Sequence, residues 1–246
     1  MQDFFKTIVY PTLTLCVRTL SRTLTALEVV GRERVPSAGP VILVCNHAHL
    51  VDPPLVGSFA PRRVHAMAKR ELFETPLIGW IFWAVGAFPV RRYSGDLGAL
   101  RTARNYLRGN SALLMYPEGT RNHGRGLKPA LPGAAMVAQF TNTQIVPVAI
   151  VGSHSIRWRS LPFLWLIGRR PSIRIEFGQP FTLEDKHSTT QSDLAEKDRM
   201  MREIAALLPA DQRGCYGDQT AGTIVTARAT TDQNEYLDNR EPRDRE

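Results

Sequence analysis

Short apolar runs that stop abruptly at polar residues set the limits on this fold. Val41-Ile42-Leu43-Val44-Cys45 follows Gly39-Pro40 and ends at Asn46-His47-Ala48-His49. Ala112-Leu113-Leu114-Met115-Tyr116 ends just as sharply at Pro117-Glu118-Gly119-Thr120-Arg121-Asn122. Uncharged runs of this length predict strands buried on both faces. Further strands are expected at 64–68, 87–90, 145–152 and 173–178, although Pro147 argues against an unbroken central ladder in the third of these. Between them, helical periodicity covers 96–108, closed by Gly109-Asn110, then 133–139 and 194–208. Strands alternating with helices predict a single α/β domain with a mostly parallel central sheet flanked by helices. Such sheets bind ligands beyond the carboxyl ends of their strands.

The polar clusters after 45 and 116 are therefore the places to look for chemistry. Asp52 precedes Pro53-Pro54, which predicts a helix starting at Pro53 with Asp52 as its cap. On a regular helix His47 and Asp52 would diverge, so they meet only across an irregular loop. There, a carboxylate holding one imidazole nitrogen leaves the other as a base. Two other chemistries fit the same residues. His47, His49 and Asp52 form a His-x-His-x-x-Asp string with metal-ligand character. Cys45, two residues before His47, allows a Cys–His nucleophile. Either would make the protein a hydrolase.

Net charge is +8, and it is uneven. From Asp211 onward stand eight acids and five arginines, so residues 1–210 carry +11. A body this basic calls for an anionic partner: nucleic acid, phosphorylated metabolite or acidic lipid surface. No Walker-type phosphate loop or nucleic-acid module is present. The three cysteines, Cys16, Cys45 and Cys215, have neither metal nor disulfide spacing, which fits a reducing compartment.

Three domain-level pieces are expected: an N-terminal amphipathic, membrane-associating segment at 1–30, a domain at 31–217 and a disordered polar tail at 218–246. The first is an interfacial anchor or a helix packed on the domain, with Pro11 restarting any helix there. Its uncharged run, 7–17, is too short to span a bilayer, and no secretory signal is evident. Residues 76–90 carry no charge and two tryptophans; a helix at 77–85 serves as an acyl-binding surface or as buried core. Residues 123–131 look like a flexible basic loop.

Four segments in order, NHAHLVD (46–52), GAFPVRR (86–92), YPEGTRN (116–122) and VPVAI (146–150), resemble the blocks of the glycerolipid acyltransferases. The chain is most similar in these to the 1-acylglycerol-3-phosphate (lysophosphatidate) acyltransferases, and LLPADQRGCYGD (207–218) resembles an ending common among bacterial members. The resemblance implies transfer of an acyl group from acyl-CoA or acyl-carrier protein to the hydroxyl of lysophosphatidic acid, without a metal or other cofactor. Glycerol-3-phosphate or another lysolipid is the alternative acceptor. It implies His47 as general base oriented by Asp52, and Arg92, with Arg91 assisting, on the acceptor phosphate. Glu118, Gly119, Thr120 and Arg121 complete the implied binding set, with Glu118 ordering an arginine or the glycerol hydroxyls. It also implies a peripheral or monotopic enzyme on the cytoplasmic face of the cell membrane, against an anionic surface. Tyr116 stands where phenylalanine is usual, and Leu131 where many members carry lysine, with Lys128 nearby.

Overall fold

A computed structural model describes residues 8–91, 96–156, 168–183 and 190–217. Its seven strands are β1 (Ala26–Val30), β2 (Val41–Cys45), β3 (Val64–Lys69), β4 (Phe88–Val90), β5 (Ala112–Met115), β6 (Ile145–Val151) and β7 (Ser172–Phe177). They form one sheet in the order β1-β7-β6-β2-β5-β3-β4. Every pairing is parallel except β6 with β7.

All five residues of β2 are buried, as an uncharged strand between two neighbours requires. Alternation divides its side chains. Ile42 and Val44 join one core cluster; Val41, Leu43 and Cys45 join the other. The first cluster lies under α5 (Leu97–Arg108), α6 (Gly133–Thr141) and α7 (Thr190–Ala206). The second lies under α2 (Asp52–Phe59), through Leu55, Val56 and Phe59. The chain thus leaves β2 toward one face and leaves β5 toward the other. That divergence opens a crevice between the two strand ends, the usual ligand position in an open α/β sheet.

Pro147 does not interrupt the ladder. Its register partner is Val44 of β2, and the β2–β6 pairing runs from Ile42↔Ile145 to Cys45↔Val148. The Pro147 carbonyl accepts from Gly178 N at 2.7 Å, so its main chain faces β7. The β6–β7 register begins only at Val148. The missing N–H therefore falls just outside that ladder, and proline is tolerated in an interior strand.

The N-terminal segment divides at Thr25. Helix α1 (Tyr10–Leu24) has Pro11 in its first turn, where the missing N–H costs nothing. It packs on α2, with Arg18 Nε donating to Ser58 O at 2.6 Å and Arg22 over the Phe59 ring at 5.4 Å. Leu15 and Leu20 remain exposed. Residues 26–30, placed above with the N-terminal piece, are strand β1 and belong to the sheet. The expected tail, 218–246, lies outside the described residues. No helix among the described residues is long and apolar enough to cross a membrane.

Helix α3 (Glu71–Glu74) leads into α4 (Ile78–Ala84). Of α4 only Gly79 and Ala84 are buried. Leu77, Ile78, Ile81 and Trp83 are exposed, so the buried-core expectation for this helix is wrong. Seven residues on the outside of a β3–β4 crossover have too little sheet beneath them to bury two faces.

Candidate active site

Asp52 is completely buried at the start of α2. Its side chain does not cap that helix, contrary to the expectation from Pro53-Pro54. Instead Oδ2 turns back into the loop. It accepts from His47 Nδ1 at 2.9 Å, Ala48 N at 2.7 Å and His49 N at 2.7 Å. The loop is irregular, as the five-residue separation demands, and two backbone donors hold the carboxylate where the imidazole needs it. A carboxylate receiving Nδ1–H fixes the tautomer and leaves Nε2 as the basic nitrogen. Nε2 has no hydrogen-bond partner among the described residues.

The backbone of His47 is fixed from the other side of the crevice. Its N–H donates to Glu118 Oε1 at 2.9 Å, and its carbonyl accepts from Asn122 N at 2.7 Å. Asn122 Nδ2 also donates to both Glu118 oxygens, at 3.0 and 3.1 Å, and Lys128 N donates to Oε2 at 3.0 Å. Glu118 is buried, and burial is the main reason its carboxyl is pushed above the usual range, against these hydrogen bonds. The Tyr116 ring lies against the His47 ring, centroids 4.3 Å apart and tilted by 31°. Gly119 closes the 116–119 turn through its N–H to Tyr116 O at 2.9 Å and adopts φ 67°, a conformation suited to glycine.

Asn46 seals the third side. It is buried at the end of β2, where its Nδ2 donates to Ile150 O at 2.9 Å and its Oδ1 accepts from Ile150 N at 2.8 Å. The amide thereby continues the sheet pairing with β6 after the β2 backbone has turned away. Asn46→Ala orphans a buried N–H and a buried carbonyl, so a stability loss of about 2–4 kcal/mol is expected in urea unfolding.

The expected binding residues divide. Arg121 is exposed beside His49, and Thr120 is half-buried. Glu118 does not order an arginine among the described residues; it ties three stretches of backbone and side chain together. Arg91 is exposed, with its N–H on Asp96 Oδ2 at 2.9 Å, and Arg92 lies outside the described residues. The sequence alone assigns no role to Asn46 or Asn122. Their signal was polar amides beside strand ends buried in apolar runs.

The 123–131 loop is anchored, not flexible. Gly124 N donates to Asn122 Oδ1 at 2.9 Å and Leu127 N to Gln212 O at 3.1 Å, while Lys128 Nζ caps Arg121 O at 2.9 Å. Gly126 meets Gly214 so closely that a Cβ on Gly126 would lie 2.8 Å from Gly214 Cα. The segment around 207–217 is thus a clasp on the active-site loop.

The described residues do not assemble the arrangements that the two other chemistries need. Among the described residues no three His, Cys, Asp or Glu side chains converge as a metal set, and His49 Nδ1 instead lies 3.4 Å from Val51 N. The Cys45 thiol is buried against Asn46 Oδ1 at 3.7 Å, and burial pushes it well above the ordinary thiol range. A thiol held neutral in this way is a poor nucleophile.

Residues 26–151, just over half the chain, match the family model described as Acyltransferase. A 1-acyl-sn-glycerol-3-phosphate acyltransferase of Bacillus subtilis (strain 168) is 30% identical over 130 residues, 52% of this chain and 64% of that protein. Its counterpart of the same description in Streptococcus pneumoniae (strain ATCC BAA-255 / R6) is 32% identical over 147 residues, 58% and 51% respectively. A lyso-ornithine lipid O-acyltransferase of Pseudomonas aeruginosa is 34% identical over 113 residues, 45% of this chain and 43% of that protein. The chain thus spans between about two-fifths and two-thirds of the length of these relatives. The fold matches the crystal structure of the 1-acyl-sn-glycerophosphate (LPA) acyltransferase from Thermotoga maritima with a TM-score of 0.62, at 21% identity, over 81% of this chain and 79% of that one.

Proposed function

The chain belongs to the acyltransferase family, and from that premise we propose that it acylates the sn-2 hydroxyl of lysophosphatidic acid to give phosphatidic acid. The carrying observation is the buried His47–Asp52 pair, 2.9 Å apart at the mouth of the crevice. His47 Nε2 takes the proton from the acceptor hydroxyl while the oxygen attacks the thioester carbonyl. The C–O bond forms, the C–S bond breaks, and the imidazolium returns its proton to the departing thiolate. Asp52 holds the ring and balances its charge during that interval. No protein nucleophile is required. The donor is acyl-CoA or acyl-carrier protein, and no cofactor takes part.

Arg92, with Arg91 and Arg121, holds the acceptor phosphate, a task for which the bidentate guanidinium is suited. Arg92→Ala is expected to raise KM for the lysolipid about tenfold or more, with KM for the thioester little changed. Equal loss for both substrates contradicts that role. The enzyme works at the cytoplasmic face of the membrane. A 16-carbon chain costs roughly 12 kcal/mol to bring into water, so the acceptor does not come to the enzyme through solution.

The similarity to a lyso-ornithine lipid O-acyltransferase favours one second reading, in which the acceptor is another lysolipid. Purified protein with radiolabelled palmitoyl-CoA or palmitoyl-acyl-carrier protein and a panel of lysophosphatidic acid, glycerol-3-phosphate and lyso-ornithine lipid decides between them. Phosphatidic acid as the dominant product supports the first. Dominant acylation of another acceptor replaces it, and no transfer to any acceptor from either donor class sinks both.

A further inference from the structure

We propose that the carboxyl-end edge of the sheet docks directly on the headgroup region of a lipid bilayer, through a leucine that each of four connections holds out to water. This rests on the acyltransferase reading and names the surface through which its lipid acceptor reaches His47. Leu50 lies in the β2–α2 loop, Leu77 before α4, Leu97 at the start of α5 and Leu131 in the β5–α6 connection. They are 58%, 72%, 63% and 36% exposed. Strands β2, β5, β3 and β4 are mutually parallel, so all four connections leave from the edge that carries His47.

Leu77 is held outward by its backbone. It has φ 63° and ψ −51°, and Ile78 N donates to Pro76 O at 2.7 Å. This is the strained, positive-φ form of the γ-turn, rare for a side chain of this size. Behind it, Gly79 sits on α3, where an added Cβ would run into the Phe73 carbonyl. Helix α4 is thus seated by its glycine face and cannot roll its apolar side inward. Ile78, Ile81 and Trp83 stay exposed beside Leu77.

Charge identifies the occupant. The exposed acids of this edge, Glu71 and Glu74, are paired with Lys69 at 3.2 Å and Arg70 at 3.4 Å. Asp52 and Glu118 are buried, and half-buried Asp96 accepts from the Arg91 and Ala99 N–H groups, while Arg121 and Arg125 are exposed. Exposed leucines and exposed arginines on one edge match the acyl boundary and the phosphates above it in an anionic membrane. Docked this way, the crevice opens into the bilayer and the acceptor keeps its chain among lipids.

Flotation of the full chain with vesicles of phosphatidylcholine and phosphatidylglycerol tests this. Leu77→Asp/Leu97→Asp is expected to bind about tenfold more weakly or worse. Leu97→Asp alone, an acid at a helix N-terminus that the fold accommodates, should fall between. Phe140→Asp, at the far end of α6 and 77% exposed, is expected to float like the parent. Turnover of vesicle-borne lysolipid should drop with binding in both variants, while Leu97→Asp turns over a short-chain, water-soluble lysolipid within about twofold of the parent. Parent-like flotation of both leucine variants overturns the proposal. So does a parent dimer that these variants dissociate without losing flotation, which makes the rim an interface between copies. A parent that floats through this edge but acylates no lysolipid sinks the acyltransferase reading alone.

Discussion

His47→Ala is expected to lower the rate of acyl transfer by about 10³–10⁴-fold, with lysolipid binding retained. Asp52→Asn should lose nearly as much without touching the reacting atoms. Asp52 Oδ2 receives His47 Nδ1 and two backbone N–H groups on one atom. An asparagine oxygen can still accept, but it brings no negative charge to the imidazolium, and an amide nitrogen in that place faces three donors. The two side chains act as a unit, so the double variant should be little worse than His47→Ala. Steady-state rates at saturating acceptor measure this. Additive losses would mean that Asp52 serves the loop and not the imidazole.

Glu118→Ala is expected to cost about 3–5 kcal/mol and to remove most activity, because His47 N, Lys128 N and Asn122 Nδ2 would be buried without their acceptor. Chemical denaturation reads the first effect. The direction of the pH dependence is also fixed. Burial raises the folded Glu118 pKa above its ordinary 4.5, so the folded state holds the proton more tightly than the unfolded chain. Its contribution therefore favours folding below that value and weakens as pH rises through the folded pKa. The stability difference between the parent and Glu118→Gln should accordingly shrink as pH rises through that window. A difference that grows instead would contradict the burial effect.

The sheet was legible in the sequence because its strands are uncharged runs bounded by abrupt polarity. The His47–Asp52 pairing was legible because two prolines exclude a regular helix between them. What stayed hidden depended on long-range partners. Nothing local says that Asn46 will meet Ile150, 104 positions away, or that Glu118 will bind the His47 backbone. The anchoring of 123–131 was missed for the same reason, since Gln212 and Gly214 are remote in sequence. Pro147 misled because its chemistry is unfavourable in a ladder, and only the register shows that its absent donor falls beyond one.

The knot around Glu118 separates two kinds of position. The groups that make and hold the base are interior and mutually dependent, so a change to one disturbs the others. Arg121, His123 and Arg125 are exposed on the segment that this knot and the 207–217 clasp hold in place. If the proposed acceptor reading holds, substitutions at these surface positions are expected to change headgroup preference in the lysolipid panel while leaving the His47–Asp52 pair in place, which makes this loop the place to begin when redirecting the enzyme to a new acceptor.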